Sequence, residues 1–121
     1  MPPETAVVLA LTTLPADADA GSFLRALLAA RLIACGTIHA GARSLYHWEG
    51  QIEEAAEQLL LLKTTAGHLE ELQIAFAALH PYAVPELIVV PVTDGLPAYL
   101  RWVVEAVTAP RLEAPDGRAE S

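Results

Sequence analysis

From Ala6 to Thr12 the chain reads Ala-Val-Val-Leu-Ala-Leu-Thr, short, β-branched and apolar on both faces, which is the pattern of a central strand. Pro15 and Asp17 then supply a helix-start signal. Phe23, Leu24, Leu27, Leu28 and Leu32 recur at helical spacing, with Arg25 and Arg31 on the other side, and predict a helix ending near Ala34. Cys35 to Tyr46 reads as a strand broken at Ala40-Gly41, Trp48-Glu49-Gly50 as a turn, and Gln51 to Thr64 as the returning strand of a long hairpin. That strand carries Glu53, Glu54 and Glu57 in its first half and Leu59-Leu60-Leu61-Leu62 in its second, so one end is solvated and the other enters a core. Thr64 and Thr65 are N-cap candidates for a second helix, about Ala66 to Leu79, built on Leu69, Leu72, Phe76 and Leu79 and stopped at His80-Pro81. Glu86 to Val92 is a further strand, placed near a sheet edge or strand end by Pro91. Pro97 opens a third helix with Tyr99, Trp102, Val103 and Ala106 on one face.

The order β-α-β-β-α-β with an added C-terminal helix is the ferredoxin-like split-βαβ arrangement, an α+β sandwich whose helices pack on one face of an antiparallel sheet. The second face stays bare unless something covers it, and a long hairpin leaves unpaired edges, so an oligomer is expected. Residues 1–109 read as a single domain. Pro110 to Ser121, rich in Pro, Gly, Ala and charge without apolar period, reads as a mobile tail.

Composition narrows the partners. An apolar fraction of 54% over 121 residues closes one core without disulfide or metal support. Seven Lys and Arg against fifteen Asp and Glu give a net charge of −8, the wrong sign for a phosphate backbone, so no nucleic-acid partner is expected. The longest apolar run falls far short of the roughly eighteen residues that span a bilayer, so no membrane partner is expected either. Met1-Pro2-Pro3-Glu4 has no basic segment before the first apolar stretch, which points to the cytoplasm. A single cysteine, Cys35, excludes an intramolecular disulfide and any zinc site built from several thiolates of one chain.

Three spaced motifs, Ser44-Leu45-Tyr46-His47-Trp48-Glu49-Gly50, Leu61-Leu62-Lys63-Thr64 and His80-Pro81-Tyr82-Ala83-Val84-Pro85-Glu86, resemble the CutA family of divalent-cation tolerance proteins. The likeness is colinear and extends through Ala34-Cys35 upstream and Pro97-Ala98-Tyr99-Leu100-Arg101-Trp102 downstream, covering about Ala6 to Val107. It implies a trimer of ferredoxin-like subunits, related in architecture to the PII signalling proteins, with sheets around a three-fold axis and hairpins embracing neighbours. It also implies a role in tolerance of divalent cations such as copper. The chain departs from the family's common residues at Thr37, Gln51, Ala55 and Ala83. Where some relatives hold copper with a cysteine at the end of strand one and two adjacent histidines before the Pro-Tyr motif, this chain has Thr12 and Leu79-His80. His80 is the one ligand carried over, so no cofactor is certain, and the candidate is a weakly held Cu²⁺ or another divalent cation.

His80 has two readings: an imidazolium capping the negative end of helix two, or a copper or zinc ligand completed by a water, a carboxylate or a symmetry mate. His39, His47 and His68 stand at no ligand spacing and read as surface residues. Cys35 reads as a small buried hydrophobe, since no cation or imidazole is placed to lower its pKa. Glu53 and Glu57 share a strand face, as a cation-facing pair or as a solvated strand end. Lys63, the only lysine, stands at the end of the Leu run and calls for a partner such as Glu86 or a neighbour's Glu57. The resemblance implies that Tyr46, Trp48, Tyr82 and Trp102 gather near inter-subunit clefts, where aromatics with polar tips read as interface residues or as the wall of a ligand pocket. No phosphate loop, serine elbow or two-histidine zinc motif is present, which argues against an enzyme. Two functions stand: a cytoplasmic homotrimer of cation tolerance with copper held weakly near His80, or a PII-like trimer that binds a small molecule or protein in its clefts.

Overall fold

The computed structural model describes residues 3–110. The tail expected over residues 110–121 lies, apart from Pro110, outside them. The chain runs β1 (Val7–Pro15), α1 (Ala20–Ala29), β2 (Cys35–Trp48), β3 (Gln51–Thr65), a 3₁₀ turn (Ala66–His68), α2 (Leu69–Leu79), β4 (Ile88–Pro91) and α3 (Pro97–Thr108). The sheet is antiparallel with order β2-β3-β1-β4. This is the expected α+β, ferredoxin-like arrangement.

β1 is central, as its two-sided apolar pattern requires. It pairs with β3 over its whole length, Val7 opposite Thr65 to Pro15 opposite Glu57, and with β4 from Val8–Pro91 to Leu11–Ile88. On one sheet face Ala10, Leu14, Leu60 and Leu62 close against Phe23, Leu24 and Leu27 of α1 and Leu72 and Phe76 of α2. Gly36 permits that approach, because a Cβ there would come within 2.8 Å of Leu24 Cδ2. On the other face α3 buries Val103 and Val107 against Ala34 and Val7, covering one end. The rest of that face, including Ile88 and Val90, is open.

Several boundaries differ from the sequence reading. α1 starts at an Asp19 cap, whose Oδ1 accepts from the Ser22 N–H at 3.0 Å, and it stops at Ala29 rather than Ala34. Arg31 takes φ +58°, and the Leu32 N–H reaches back to the Leu27 carbonyl, which closes the helix as a Schellman turn. The Arg31 guanidinium then donates to the Ala106 carbonyl at 3.0 Å and the Pro110 carbonyl at 3.3 Å, tying α1 to α3. Thr64 and Thr65 do not cap α2: Thr64 Oγ1 donates to the Leu32 carbonyl, and Thr65 Oγ1 bonds His68 Nδ1 across the 3₁₀ turn. β4 is limited to the four residues Ile88–Pro91: although β1 runs on to Pro15, Glu86 and Leu87 do not pair with it beyond Leu11.

The hairpin is as long as expected. Its break falls between His39 and Ala42, where Gly41 has φ +83°, and its two-residue turn places Glu49 and Gly50 at φ +50° and +78°, the geometry of a type I′ turn. Residues 51–56 of β3 pair with β2 alone, so this end of the hairpin is a two-stranded arm standing off the sheet.

Candidate functional site

At the root of that arm the chain after α2 folds back over the end of β1. His80 closes α2, donating its N–H to the Phe76 carbonyl, and extended backbone at φ −77° and ψ +136° then carries the chain into Pro81. Its ring is buried among Phe23, Phe76 and Tyr82, with centroids 5.7, 5.6 and 5.2 Å away. Nε2 donates to the Thr13 carbonyl at 2.8 Å and lies 3.3 Å from Thr12 Oγ1, while Nδ1 accepts from the Tyr82 N–H at 3.1 Å. These partners assign the neutral Nε2–H tautomer, because a proton on Nδ1 would face the Tyr82 N–H. Burial accordingly holds the imidazole below its usual pKa, against the opposing pull of the Thr13 carbonyl and of Glu57. The imidazolium cap of the sequence reading is therefore not what this arrangement favours.

Tyr82 continues the chain of contacts. Its hydroxyl donates to Glu57 Oε2 at 2.6 Å, and burial, followed by Glu57, lifts the phenol well above its ordinary pKa. Glu57 is only 5% exposed. Beside it, Gln58 turns to the opposite face and its amide donates to the Pro15 and Ala18 carbonyls at 2.9 and 3.0 Å, fixing the β1–α1 loop. Sequence reasoning passed over Gln58, and also Thr13, which is 8% exposed and whose side-chain hydroxyl has no hydrogen-bond partner among the described residues. A polar pair interrupting an apolar run, Thr12-Thr13 in β1, is the signal that marks it.

These groups bound a cleft of about 860 Å³ between the arm and the segment after α2. Tyr46, Trp48, Glu53, Glu57, Tyr82 and Glu86 all line it, with Thr13. Of the residues singled out in the sequence, Tyr46, Trp48, Glu57, Tyr82 and Glu86 thus come together. Cys35, Lys63 and Trp102 do not line this cleft. Cys35 and Lys63 are opposed in register on β2 and β3, with Nζ 4.0 Å from Sγ, and no carboxylate pairs with Lys63 among the described residues. Trp102 stacks at a tilt on Tyr99 of α3, 5.6 Å between centroids. Glu54, on the opposite arm face, pairs with Arg43 at 3.0 Å.

The CutA1 divalent ion tolerance protein family model matches residues 8–106. The chain belongs to the CutA family. A divalent-cation tolerance protein CutA of Escherichia coli O139:H28 is 44% identical over 99 residues, 82% of this chain and 88% of that one. The crystal structure of CutA from Xylella fastidiosa superposes with a TM-score of 0.79 at 42% identity, covering 84% of this chain and 98% of the other. The divalent cation tolerance protein of Thermus thermophilus gives 0.80 at 39% identity, over 83% and 97%.

The positions to which the resemblance assigns copper ligands are filled here by the buried Thr12 hydroxyl, by Leu79 and by the His80 imidazole, with both nitrogens hydrogen-bonded. This donor set does not fit a copper ion, which favours thiolate and free imidazole. Among the described residues no group of three or more His, Cys, Asp and Glu side chains converges on one point. No helix among them is long and apolar enough to cross a membrane.

Proposed function

We propose that this CutA-family chain serves divalent-cation tolerance as a cytoplasmic homotrimer, a binding protein and not an enzyme, whose working surface is the cleft at the root of the hairpin arm. The observation that carries this reading is the double hydrogen bonding of His80, which makes the imidazole a strut beneath the cleft instead of an available ligand. The trimer is supported by the arm. Leu45 and Ile52 are 62% and 72% exposed on a two-stranded projection that is marginal without cover, and the open sheet face adds Ile88 and Val90. Tyr46, Trp48 and Glu53 lie on the other arm face, which by strand register is continuous with the open sheet face, so a subunit that covers Ile88 and Val90 also borders the cleft.

A competition titration of Cu²⁺ against a chelator of known affinity, run on the native chain and on His80→Gln, tests the reading. Weak, non-saturating binding that is the same in both is expected. Saturation at one ion or fewer per subunit, lost in the variant, would transfer the function to copper capture at His80.

A further inference from the structure

We propose that a second copy of this chain completes the cleft by pairing its Lys63 ammonium with Glu57, so that neighbouring subunits meet head to tail. This deepens the assembly reading above, rests on it, and names the charge contact between copies. By strand register one row across the open sheet face is Cys35, Lys63, Leu9 and Val90. Farther along the same face lie Leu61 and Ile88, and at the root of the arm Glu57 and Glu53. The middle of the face is apolar, one end carries a cation, and the other carries carboxylates.

Lys63 is the only lysine of the chain, and no carboxylate pairs with it among the described residues. Its Nζ lies 4.0 Å from Cys35 Sγ, a weak acceptor. Because Lys63 shares a row with Val90, a subunit that covers Val90 also takes water from this half-buried ammonium. An ammonium enclosed without an opposite charge is costly, so the covering copy has to bring a carboxylate with it. The chain's own Glu57 cannot serve: it stands six residues away on the same strand, about 20 Å off, beyond the reach of two side chains.

Glu57 is the complement. It accepts from the Tyr82 hydroxyl on Oε2, which holds the carboxylate in place, and its Oε1 has no hydrogen-bond partner among the described residues. Glu53 and Glu86 line the same cleft but are exposed, so water satisfies them, whereas Glu57 is buried. Buried polar groups are almost always satisfied, and a fixed carboxylate oxygen suits a charged N–H donor from the covering copy. The buried Thr13 hydroxyl on the same lining offers a further acceptor to a group with three N–H bonds. Donor and acceptor are separate patches of one face, so the contact is heterologous, and three such contacts close a ring in which every Lys63 and every Glu57 is paired.

The test is zero-length carbodiimide cross-linking of the full-length protein, which joins a lysine to a carboxylate only where the two already touch, with sedimentation run beside it. Covalent dimers and trimers are expected, with the junction mapped by mass spectrometry to Lys63 and Glu57. Lys63→Arg, which keeps the charge without a primary amine, should lose that junction and sediment as the native protein does. Lys63→Met and Glu57→Gln, the second of which keeps the Tyr82 hydrogen bond, should each weaken assembly about tenfold or more. The double variant should assemble no worse than either single one, since both remove the same pair. A trimer whose Lys63 is joined to another carboxylate or to none, or in which the two substitutions multiply, overturns the pair and leaves the homotrimer standing. A native protein that sediments as a monomer overturns both.

Discussion

His80 joins three segments through one ring: the Thr13 carbonyl of β1, the end of α2 and the Tyr82 N–H. Because its folded-state pKa lies below the unfolded value of about 6.5, the unfolded chain binds the proton more readily between the two. Stability from this group is therefore complete above about pH 6.5 and is lost as pH falls toward the folded-state value. Urea midpoints measured from pH 8 down to pH 5 are expected to decline, and His80→Gln, whose amide can both donate and accept, should flatten the upper part of that decline. A profile identical in the variant would remove His80 as the cause. The sequence shows that a histidine ends this helix. It cannot show which face of the fold receives the ring, because Thr12, Thr13 and Phe23 reach it only through tertiary packing.

At the scale of elements, hydrophobic period made all the strands and helices legible, and the errors lie where a side chain elsewhere decides the boundary. The apolar spacing of α1 continues to Leu32, yet the helix ends earlier because Arg31 enters the left-handed region and spends its guanidinium on α3 carbonyls. Arg31→Ala should lower stability by about 1–2 kcal/mol through the lost charged hydrogen bonds. Arg31→Gly should recover about 1 kcal/mol of that, since glycine adopts positive φ without strain. Denaturant melts of the two variants separate side chain from backbone, and equal midpoints would contradict this account of the helix end. The candidate site was legible in part for the same reason. Tyr46, Trp48 and Glu53 sit on one arm face by strand parity, whereas Tyr82 and Glu86 join them through the path of a segment without regular period.

For the molecule as a whole, the arm and the open sheet face are the apolar surfaces that call for cover. Placing a charge on the arm face away from the cleft tests the assembly without touching the proposed site. Ile52→Asp is expected to shift the protein from the proposed trimer toward monomer in sedimentation at low micromolar concentration, with an unchanged far-ultraviolet spectrum. A variant that remains fully trimeric would mean that the arm's apolar face is not part of the contact.

The position of β1 has a further consequence for how the protein is made. The strand at the middle of the sheet precedes both its neighbours in the chain, and they come late: Val7 waits for Thr65, and Val8 for Pro91. The hairpin, with its tight turn, closes locally as soon as β3 has been synthesised. Until then Ala-Val-Val-Leu-Ala-Leu is an unpaired apolar segment of the growing chain, which is the kind of sequence chaperones and nascent aggregates recognise. Production of this protein is thus most vulnerable during translation, before the partner strands of β1 exist.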